Sequence, residues 1–168
     1  MERTLIILKP DTVQRAIVGE IITRFEKAGF KIVAAKMLSP DRDHYAHHYE
    51  TIGTLKTRKG DEVFENQLAT MQAGPVIALV LEGVEAVETV RKMVGSTEPK
   101  SALPGTIRGD YAHVSYGAAA ETGKGVNNIL HASADKNEAE QEISHWFQAG
   151  DIHDYETVHE KFTQPKAK

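Results

Sequence analysis

The chain has 168 residues, and its 40% hydrophobic content is sufficient for the core of one domain. Its 20 Lys and Arg residues against 24 Asp and Glu give a formal net charge of -4, which excludes a chain-wide basic field for nucleic acid or anionic membranes. The absence of cysteine excludes disulfides and thiolate sites, and no apolar run approaches the roughly 18 residues of a membrane span. We therefore expect a soluble, cytoplasmic protein without a membrane or nucleic-acid partner.

The first part of the chain predicts a strand, a helix and a second strand. Residues 4–8 form a short continuous apolar run that ends at Lys9, which is typical of a buried strand. An apolar stripe with helical spacing begins at Val18 and ends before Gly29, and residues 30–38 then predict another strand. Lys9 is thereby placed at the carboxyl end of the first strand.

The remainder of the chain continues the alternation. Residues 76–81 predict a third strand, residues 84–94 a helix, residues 111–116 a weaker fourth strand, and residues 139–147 a last helix. This order favours the α+β class with a ferredoxin-like split βαβ fold. In that fold a four-stranded antiparallel sheet has helices packed on it, and we expect them to cover one side.

The segment 128–133 contains the most informative candidate for chemistry, His131. Glu142 lies 11 residues later on the predicted last helix, one turn before Trp146, so that it borders the apolar face. A carboxylate in that place can orient an imidazole, and an oriented imidazole can act as a nucleophile. A loop histidine is more often a solvated or hydrogen-bonded group, and the segment alone leaves both roles open.

Three basic side chains are candidates for binding phosphates. Lys9 ends the first strand, Arg91 lies on the predicted helix 84–94, and Arg108 falls in a glycine-flanked turn before the predicted fourth strand. A planar guanidinium and a compact ammonium both suit a transferring phosphoryl group. Each of them alone is more often surface charge, so their convergence on one phosphate chain is a hypothesis.

Several ordered motifs together resemble the nucleoside diphosphate kinase family over residues 3–155. They are Lys9-Pro-Asp-x-Val-Gln-Arg15, Val18-Gly-Glu-Ile-Ile22, Pro104-Gly-Thr-Ile-Arg-Gly-Asp110, Asn128-x-x-His131-x-Ser133 and Glu142-Ile-x-x-Trp-Phe147. The resemblance implies transfer of the γ-phosphate of a nucleoside triphosphate, typically ATP, to a nucleoside diphosphate. The transfer is ping-pong, through a phosphohistidine at His131. Residues 156–168 are then a C-terminal extension with a polar tail.

The same resemblance implies a role for each site residue. His131 is the catalytic nucleophile, Glu142 holds its ring, Ser133 lies close to the histidine, and Tyr49 lines the cleft. The residues at the phosphate- and sugar-binding positions are Lys9, Arg91, Thr97, Arg108 and Asn128. Mg²⁺ is implied as a cofactor bound mainly through the nucleotide phosphates, with no metal held by protein ligands alone. A homo-oligomer, hexamer or tetramer, is also implied.

The chain departs from the family pattern at the base-binding position and in two insertions. The family carries an aromatic pair, and the base stacks on its first member; here Val63 and Phe64 stand in that place. Extra residues near 50–62 leave the register open, so either Val63 or Phe64 can contact the base. A second insertion near 115–126 lengthens the loop that leads to His131.

Two rival interpretations, a P-loop and an RNA-binding module, fit the sequence less well. In the segment 117–125, five residues separate two glycines where a P-loop has four, and Gly125 stands where it needs Ser or Thr. RNA-recognition domains share the predicted element order, but the predicted strands at 4–8 and 76–81 lack the aromatic and basic residues that bind bases.

The cluster His44, His47 and His48 is also a candidate, for a metal site. His44 and His48 are one helical turn apart, but no glutamate accompanies them in an HExxH pattern. We therefore expect a solvated helix face and assign no metal to these histidines.

Overall fold

The computed structural model describes residues 1–163, and the predicted polar tail at 164–168 lies outside them. Within the described residues, four strands form one sheet in the order β2-β3-β1-β4, and every pairing is antiparallel. The strands are β1 (Glu2–Leu8), β2 (Lys31–Leu38), β3 (Val76–Gly83) and β4 (Leu130–Ala132). This is the α+β, ferredoxin-like arrangement that the sequence predicts.

Helices of very different length connect and flank the strands. The first half contains α1 (Pro10–Gln14), α2 (Val18–Lys27), α3 (Arg42–Ala46), a π-helical turn (His47–Ile52), α4 (Leu55–Lys59) and α5 (Asp61–Met71). The second half contains α6 (Ala86–Val94), a 3-10 turn (Pro99–Ser101), α7 (Ile107–Tyr111), α8 (Tyr116–Glu121), α9 (Lys136–Trp146), a further 3-10 turn (Ala149–Asp151) and α10 (Glu160–Thr163). Across residues 1–163, the helices are too short or too polar to span a bilayer.

Helices cover both faces of the sheet, so the expectation that they cover one side was wrong. Side chains alternate along β1: Leu5 and Ile7 pack in a cluster with α5 and α9, whereas Ile6 and Leu8 pack in a second cluster with α2 and α6. Because neither side of β1 meets solvent, its apolar run is continuous rather than alternating. The open sheet face on which RNA-recognition domains stack bases is therefore covered here.

The fourth strand lies elsewhere than predicted. Residues 111–116 join the end of α7 to the start of α8, and the strand beside β1 is β4, in which His131 stands opposite Ile7. A three-residue strand is too short to show a period, and its pairing with β1 determines it rather than a local pattern. As a result Arg108 lies on α7, not in a turn before a strand.

Candidate active site

His131 lies in the middle of β4, and α9 holds its ring. His131 Nε2 donates to Glu142 Oε1 at 2.7 Å, and the hydroxyl of Ser133 donates to Glu142 Oε2 at 2.6 Å. The Ser133 oxygen in turn accepts from the backbone N–H of Leu5 on β1 at 3.1 Å. Because Nε2 is engaged, Nδ1 is the ring nitrogen left for attack on an electrophile.

Glu142 is completely buried, which is rare for a carboxylate without partners. It is placed by α9, which is capped by Asp135: the Asp135 side chain accepts from the backbone N–H of Glu138 at 2.8 Å. Glu142 then falls one turn before Trp146, on the face of α9 that packs against β1. With a donor on each oxygen, the carboxylate has one orientation and transmits it to His131.

His48 is a further group at this centre, so the expectation of a solvated helix face at His44, His47 and His48 was wrong. His48 is buried in the π-helical turn, and its Nδ1 accepts from Trp146 Nε1 at 3.2 Å and lies 3.6 Å from Glu142 Oε1. His44 is half-buried and its ring stacks on that of His145 of α9, whereas His47 is exposed. Packing by α9, which is distant in sequence, causes this burial.

The ligand-type atoms of His48, His131 and Glu142 lie within 4.8 Å of one another. In the structure, however, His131 and Glu142 are hydrogen-bonded to each other and His48 is bonded to Trp146. Those bonds occupy His131 Nε2, Glu142 Oε1 and His48 Nδ1. The arrangement suits a nucleophile and its supporting side chains.

Lys9 is buried at the carboxyl end of β1, where the sequence places it. Its Nζ donates to Asn128 Oδ1 at 2.6 Å, and Asn128 Nδ2 donates to the carbonyl oxygen of Thr97 at 2.8 Å. Burial, together with the charge of Arg108, lowers the pKa of Lys9 to about 7. A cation held in this way is stabilised by an arriving anion such as a phosphate.

Arg108 reaches from α7 to the same end of the sheet. Its guanidinium donates to the carbonyl oxygens of Asn128, Gly95 and Leu130 at 3.1, 3.1 and 2.6 Å. Burial, followed by the charge of Arg91, lowers the pKa of Arg108 to about 10. Three backbone contacts leave the guanidinium a single position, so its charge is fixed before any substrate binds.

The turn that leads into β4 is strained and firmly held. Ile129 has φ +73°, a conformation that a β-branched residue rarely adopts. Its carbonyl oxygen accepts from the Lys9 N–H at 3.0 Å and from the Thr12 hydroxyl, and its own N–H donates to Asp11 Oδ2 at 3.2 Å. The start of α1 thereby fixes Asn128 on one side of the turn and His131 on the other.

These groups surround a cleft of about 170 Å³. The predicted site residues that line it are Lys9, Tyr49, Thr97, Arg108, His131 and Glu142. The lining residues that the sequence did not single out as binding groups are His48, Gly53, Leu55, Arg58, Gln67, Leu130 and Glu138. Three of these, Gly53, Leu55 and Arg58, come from the insertion near 50–62, whose uncertain register concealed them.

The structure places the other predicted site residues around the cleft or away from it. Asn128 and Ser133 lie behind it, bonded to cleft-lining side chains. Arg91 donates to the carbonyl oxygen beside His131, that of Ala132, at 3.3 Å and lines a separate surface groove. Phe64 is buried in the core and Val63 is 46% exposed on α5, and neither lines the cleft.

A histidine that is oriented by a buried carboxylate, beside fixed and buried basic side chains, is an arrangement that suits a phosphotransferase. The model of the nucleoside diphosphate kinase family matches residues 2–152 of the chain. The chain is also 46% identical over 155 residues to the nucleoside diphosphate kinase of Pyrococcus furiosus, an alignment that covers 92% of this chain and 88% of that protein.

Solved structures agree with this match. The nucleoside diphosphate kinase of Borrelia burgdorferi, a transition state mimic with bound vanadate and ADP, superposes with a TM-score of 0.93 at 40% identity and 96% coverage of each chain. The halophilic enzyme of Halobacterium salinarum, in complex with CDP, has a TM-score of 0.81 at 32% identity, covering 96% of this chain and 97% of that one. The chain belongs to the nucleoside diphosphate kinase family. It is an enzyme that transfers phosphate between nucleotides.

Proposed function

We propose that the chain moves the γ-phosphate of a nucleoside triphosphate, typically ATP, to a nucleoside diphosphate through a phosphohistidine at His131. The observation that carries this proposal is the 2.7 Å bond from His131 Nε2 to buried Glu142, which leaves Nδ1 as the nucleophile. The vanadate and ADP bound to the Borrelia burgdorferi relative support nucleotide phosphates as the substrate.

The phosphohistidine cycle consists of two matching transfers. In the first, the lone pair of His131 Nδ1 attacks the γ-phosphorus, the bond from that phosphorus to the β-phosphate oxygen breaks, and the diphosphate leaves with the electron pair. The proton on Nε2 stays there, and the positive charge on the ring is stabilised by the Glu142 carboxylate. In the second, a different diphosphate attacks the phosphohistidine and the same steps run in reverse.

Lys9 and Arg108 supply the charge that the transferred phosphate needs. Both are fixed and buried before substrate arrives, so they cost little reorganisation during transfer. Phosphate oxygens beside Lys9 favour its charged form and return its pKa towards the ordinary lysine value. We assign Arg91 and Thr97 to the outer end of the phosphate chain, because the charge of Arg91 lowers the pKa of Arg108 and Thr97 lines the cleft.

The cleft encloses the phosphates rather than the whole nucleotide. Its volume of about 170 Å³ lies below the roughly 300–1,000 Å³ typical of complete ligand pockets. The base therefore lies at or beyond the mouth of the cleft, where contacts to Tyr49 and the insertion address groups that all nucleotides share. Little selectivity for the base follows, and Leu55 and Arg58 join Val63 as candidates for contact with the nucleoside.

We propose Mg²⁺ as the ion that accompanies the nucleotide. Glu142 uses both oxygens for His131 and Ser133, and burial together with the charge of Glu142 raises the pKa of Glu138. These carboxylates fit an ion held mainly by the nucleotide phosphates rather than one resident on the protein. When bound, it neutralises charge on the phosphate oxygens. Calorimetry should then show no binding of Mg²⁺ alone.

Domain extent, assembly and location complete the proposal. We assign the catalytic domain to residues 3–155 and an extension to residues 156–168. The described part of this extension, residues 156–163, is anchored, because Lys31 Nζ donates to Glu160 at 3.0 Å. We also propose that the chain forms a homo-oligomer, a hexamer or a tetramer, and that it is located in the cytoplasm. Strand β2 lies at an edge of the sheet and exposes Met37, which suits contact with another copy of the chain. Light scattering on the purified chain tests the assembly, and cell fractionation tests the location.

Initial-rate kinetics test the ping-pong cycle. With ATP and a second diphosphate varied together, a covalent intermediate gives parallel double-reciprocal lines. The enzyme should also exchange label between ATP and ADP without any other nucleotide present. Intersecting lines, with exchange that depends on the second nucleotide, would mean direct transfer within a ternary complex.

A further inference from the structure

His48 contacts three groups of the active centre, yet the cycle above does not use it. The His48 residue is 1% exposed. Its Nδ1 lies 3.2 Å from Trp146 Nε1 and 3.6 Å from Glu142 Oε1. Its ring stands at 79° to the ring of His131, with 4.6 Å between centroids. A side chain in this position sets both the space available to the nucleophile's ring and the surroundings of its carboxylate partner.

The hydrogen bond from Trp146 determines which nitrogen of His48 is bare. An indole N–H can only donate, so Nδ1 of His48 is an acceptor and the proton of the neutral ring lies on Nε2. Nδ1 and Glu142 Oε1 are then two acceptors that cannot bond to each other. Glu142 Oε1 is consequently left for the Nε2–H of His131 alone.

The surroundings of His48 also oppose a second proton on its ring. Burial, followed by the positive charge that nearby basic groups can carry, lowers the pKa of His48 well below the ordinary value. The titratable groups that face it are His44 of α3, Tyr49 of the π-helical turn, His131 of β4, Lys9 after β1, and Glu142 and His145 of α9. Glu142 is the acidic member of this set, and the Trp146 donor blocks the nitrogen nearest to it.

We infer that His48 is a positioning residue: held by Trp146, it packs against the ring of His131 and reserves Glu142 for that histidine. This inference rests on the proposed phosphorylation of His131. A proton on His48 Nδ1 would let it donate to Glu142 and compete with His131, and the nucleophile would lose part of its support. Trp146 prevents that competition, so the pair acts on the rate of phosphorylation rather than on nucleotide binding.

The first test compares three variants in single-turnover phosphorylation by γ-labelled ATP. His48→Phe keeps a ring but loses the acceptor for Trp146 Nε1, so the ring is no longer held in place against His131, and we expect a fall of about tenfold or more, as for other orienting groups. His48→Asn returns an acceptor near the position of Nδ1 and should recover part of the rate. His47→Gln, at the exposed neighbour, is the matched control and should match the unmodified protein. The dissociation constant for ADP should stay within about twofold throughout.

The second test uses pH to separate positioning from packing. Trp146→Phe frees Nδ1 of His48 to carry a proton. The neutral Nδ1–H tautomer should lower the phosphorylation rate at every pH, and easier protonation of the ring should also move the acid limb to higher pH, whereas a packing defect lowers the rate without moving that limb. An unchanged pH profile in Trp146→Phe, or a full phosphorylation rate in His48→Phe, would overturn the inference. If circular dichroism shows that His48→Phe is unfolded, His48→Asn and Trp146→Phe decide. Absence of phosphoenzyme in the unmodified protein would instead refute the proposed function.

Discussion

Glu142→Gln is the substitution that removes the negative charge beside the nucleophile while keeping the shape of the side chain. The carboxylate accepts from His131 on one oxygen and from Ser133 on the other, in a fully buried place. An amide that keeps its oxygen towards His131 must point its NH₂ at Ser133, whose oxygen already accepts from the Leu5 N–H. In the reverse orientation, the amide NH₂ of the introduced glutamine would face the Nε2–H of His131, so two donors would meet. The imidazole would then have to carry its proton on Nδ1, which blocks the attack of Nδ1 on the phosphate.

The size of the effect follows from the charge-assisted bond that is lost. A hydrogen bond to a charged group contributes about 1.5–3 kcal/mol. Because 1.36 kcal/mol corresponds to tenfold, the rate of His131 phosphorylation should fall by roughly 10- to 150-fold. Nucleotide affinity should change little, since Glu142 lies behind His131 and the phosphates meet Lys9 and Arg108 first.

Rapid-quench measurement of phosphoenzyme formation from γ-labelled ATP is the assay, with ADP affinity measured by calorimetry. Glu138→Gln is the matched control, because Glu138 lies one turn earlier on α9 and lines the cleft without a bond to His131. It should lose less activity than Glu142→Gln. If Glu142→Gln phosphorylates at the unmodified rate, or loses affinity as much as rate, the orienting role of this carboxylate is refuted.

Three further outcomes follow from the site. The pKa of Lys9 is about 7 in the folded protein, whereas 10.5 is the ordinary value. Between these two pH values the unfolded chain binds one more proton than the folded protein, so the nucleotide-free protein should lose stability as pH falls from about 10 to 7. Urea unfolding at several pH values should show a flatter pH dependence of stability for Lys9→Met. Arg108→Ala should lower kcat more than it raises KM, because the fixed guanidinium meets charge that grows during transfer; a change in KM alone would make it a binding group. The kcat/KM values for ADP, GDP, CDP and UDP should differ by less than about a hundredfold, and Val63→Phe should strengthen nucleotide binding if that side chain reaches the base.

Long periodic segments made most of the fold predictable. The apolar run of β1 and the stripes of α2, α6 and α9 each depend on a local pattern, and all four elements lie where the sequence places them. Strand β4 could not be found in this way, because three residues show no period and its pairing with β1 is a tertiary effect. The run of β1 also implies burial on both sides, which the expectation of one covered face overlooked.

The site residues likewise fall into those that a local motif predicts and those that only tertiary packing reveals. Lys9, Arg108 and His131 carry unusual chemistry within recognisable motifs, and the structure brings all three to one cleft. The place of His48 in the site could not be predicted, because its burial depends on Trp146, which lies 98 residues away. Arg58 and its neighbours were hidden for another reason: an insertion has no family pattern to align with, and only folding shows which of its side chains meet the cleft.

In the proposed cycle, His131 carries the phosphate between two nucleotides. Incubation with γ-labelled ATP, followed by proteolysis and mass spectrometry, tests this role of His131. We expect one phosphate per chain on His131, labile in acid and stable in base, discharged by ADP at a rate consistent with turnover, and absent from His131→Ala. Full turnover by His131→Ala, or stable label on another residue that ADP can discharge, would contradict the account.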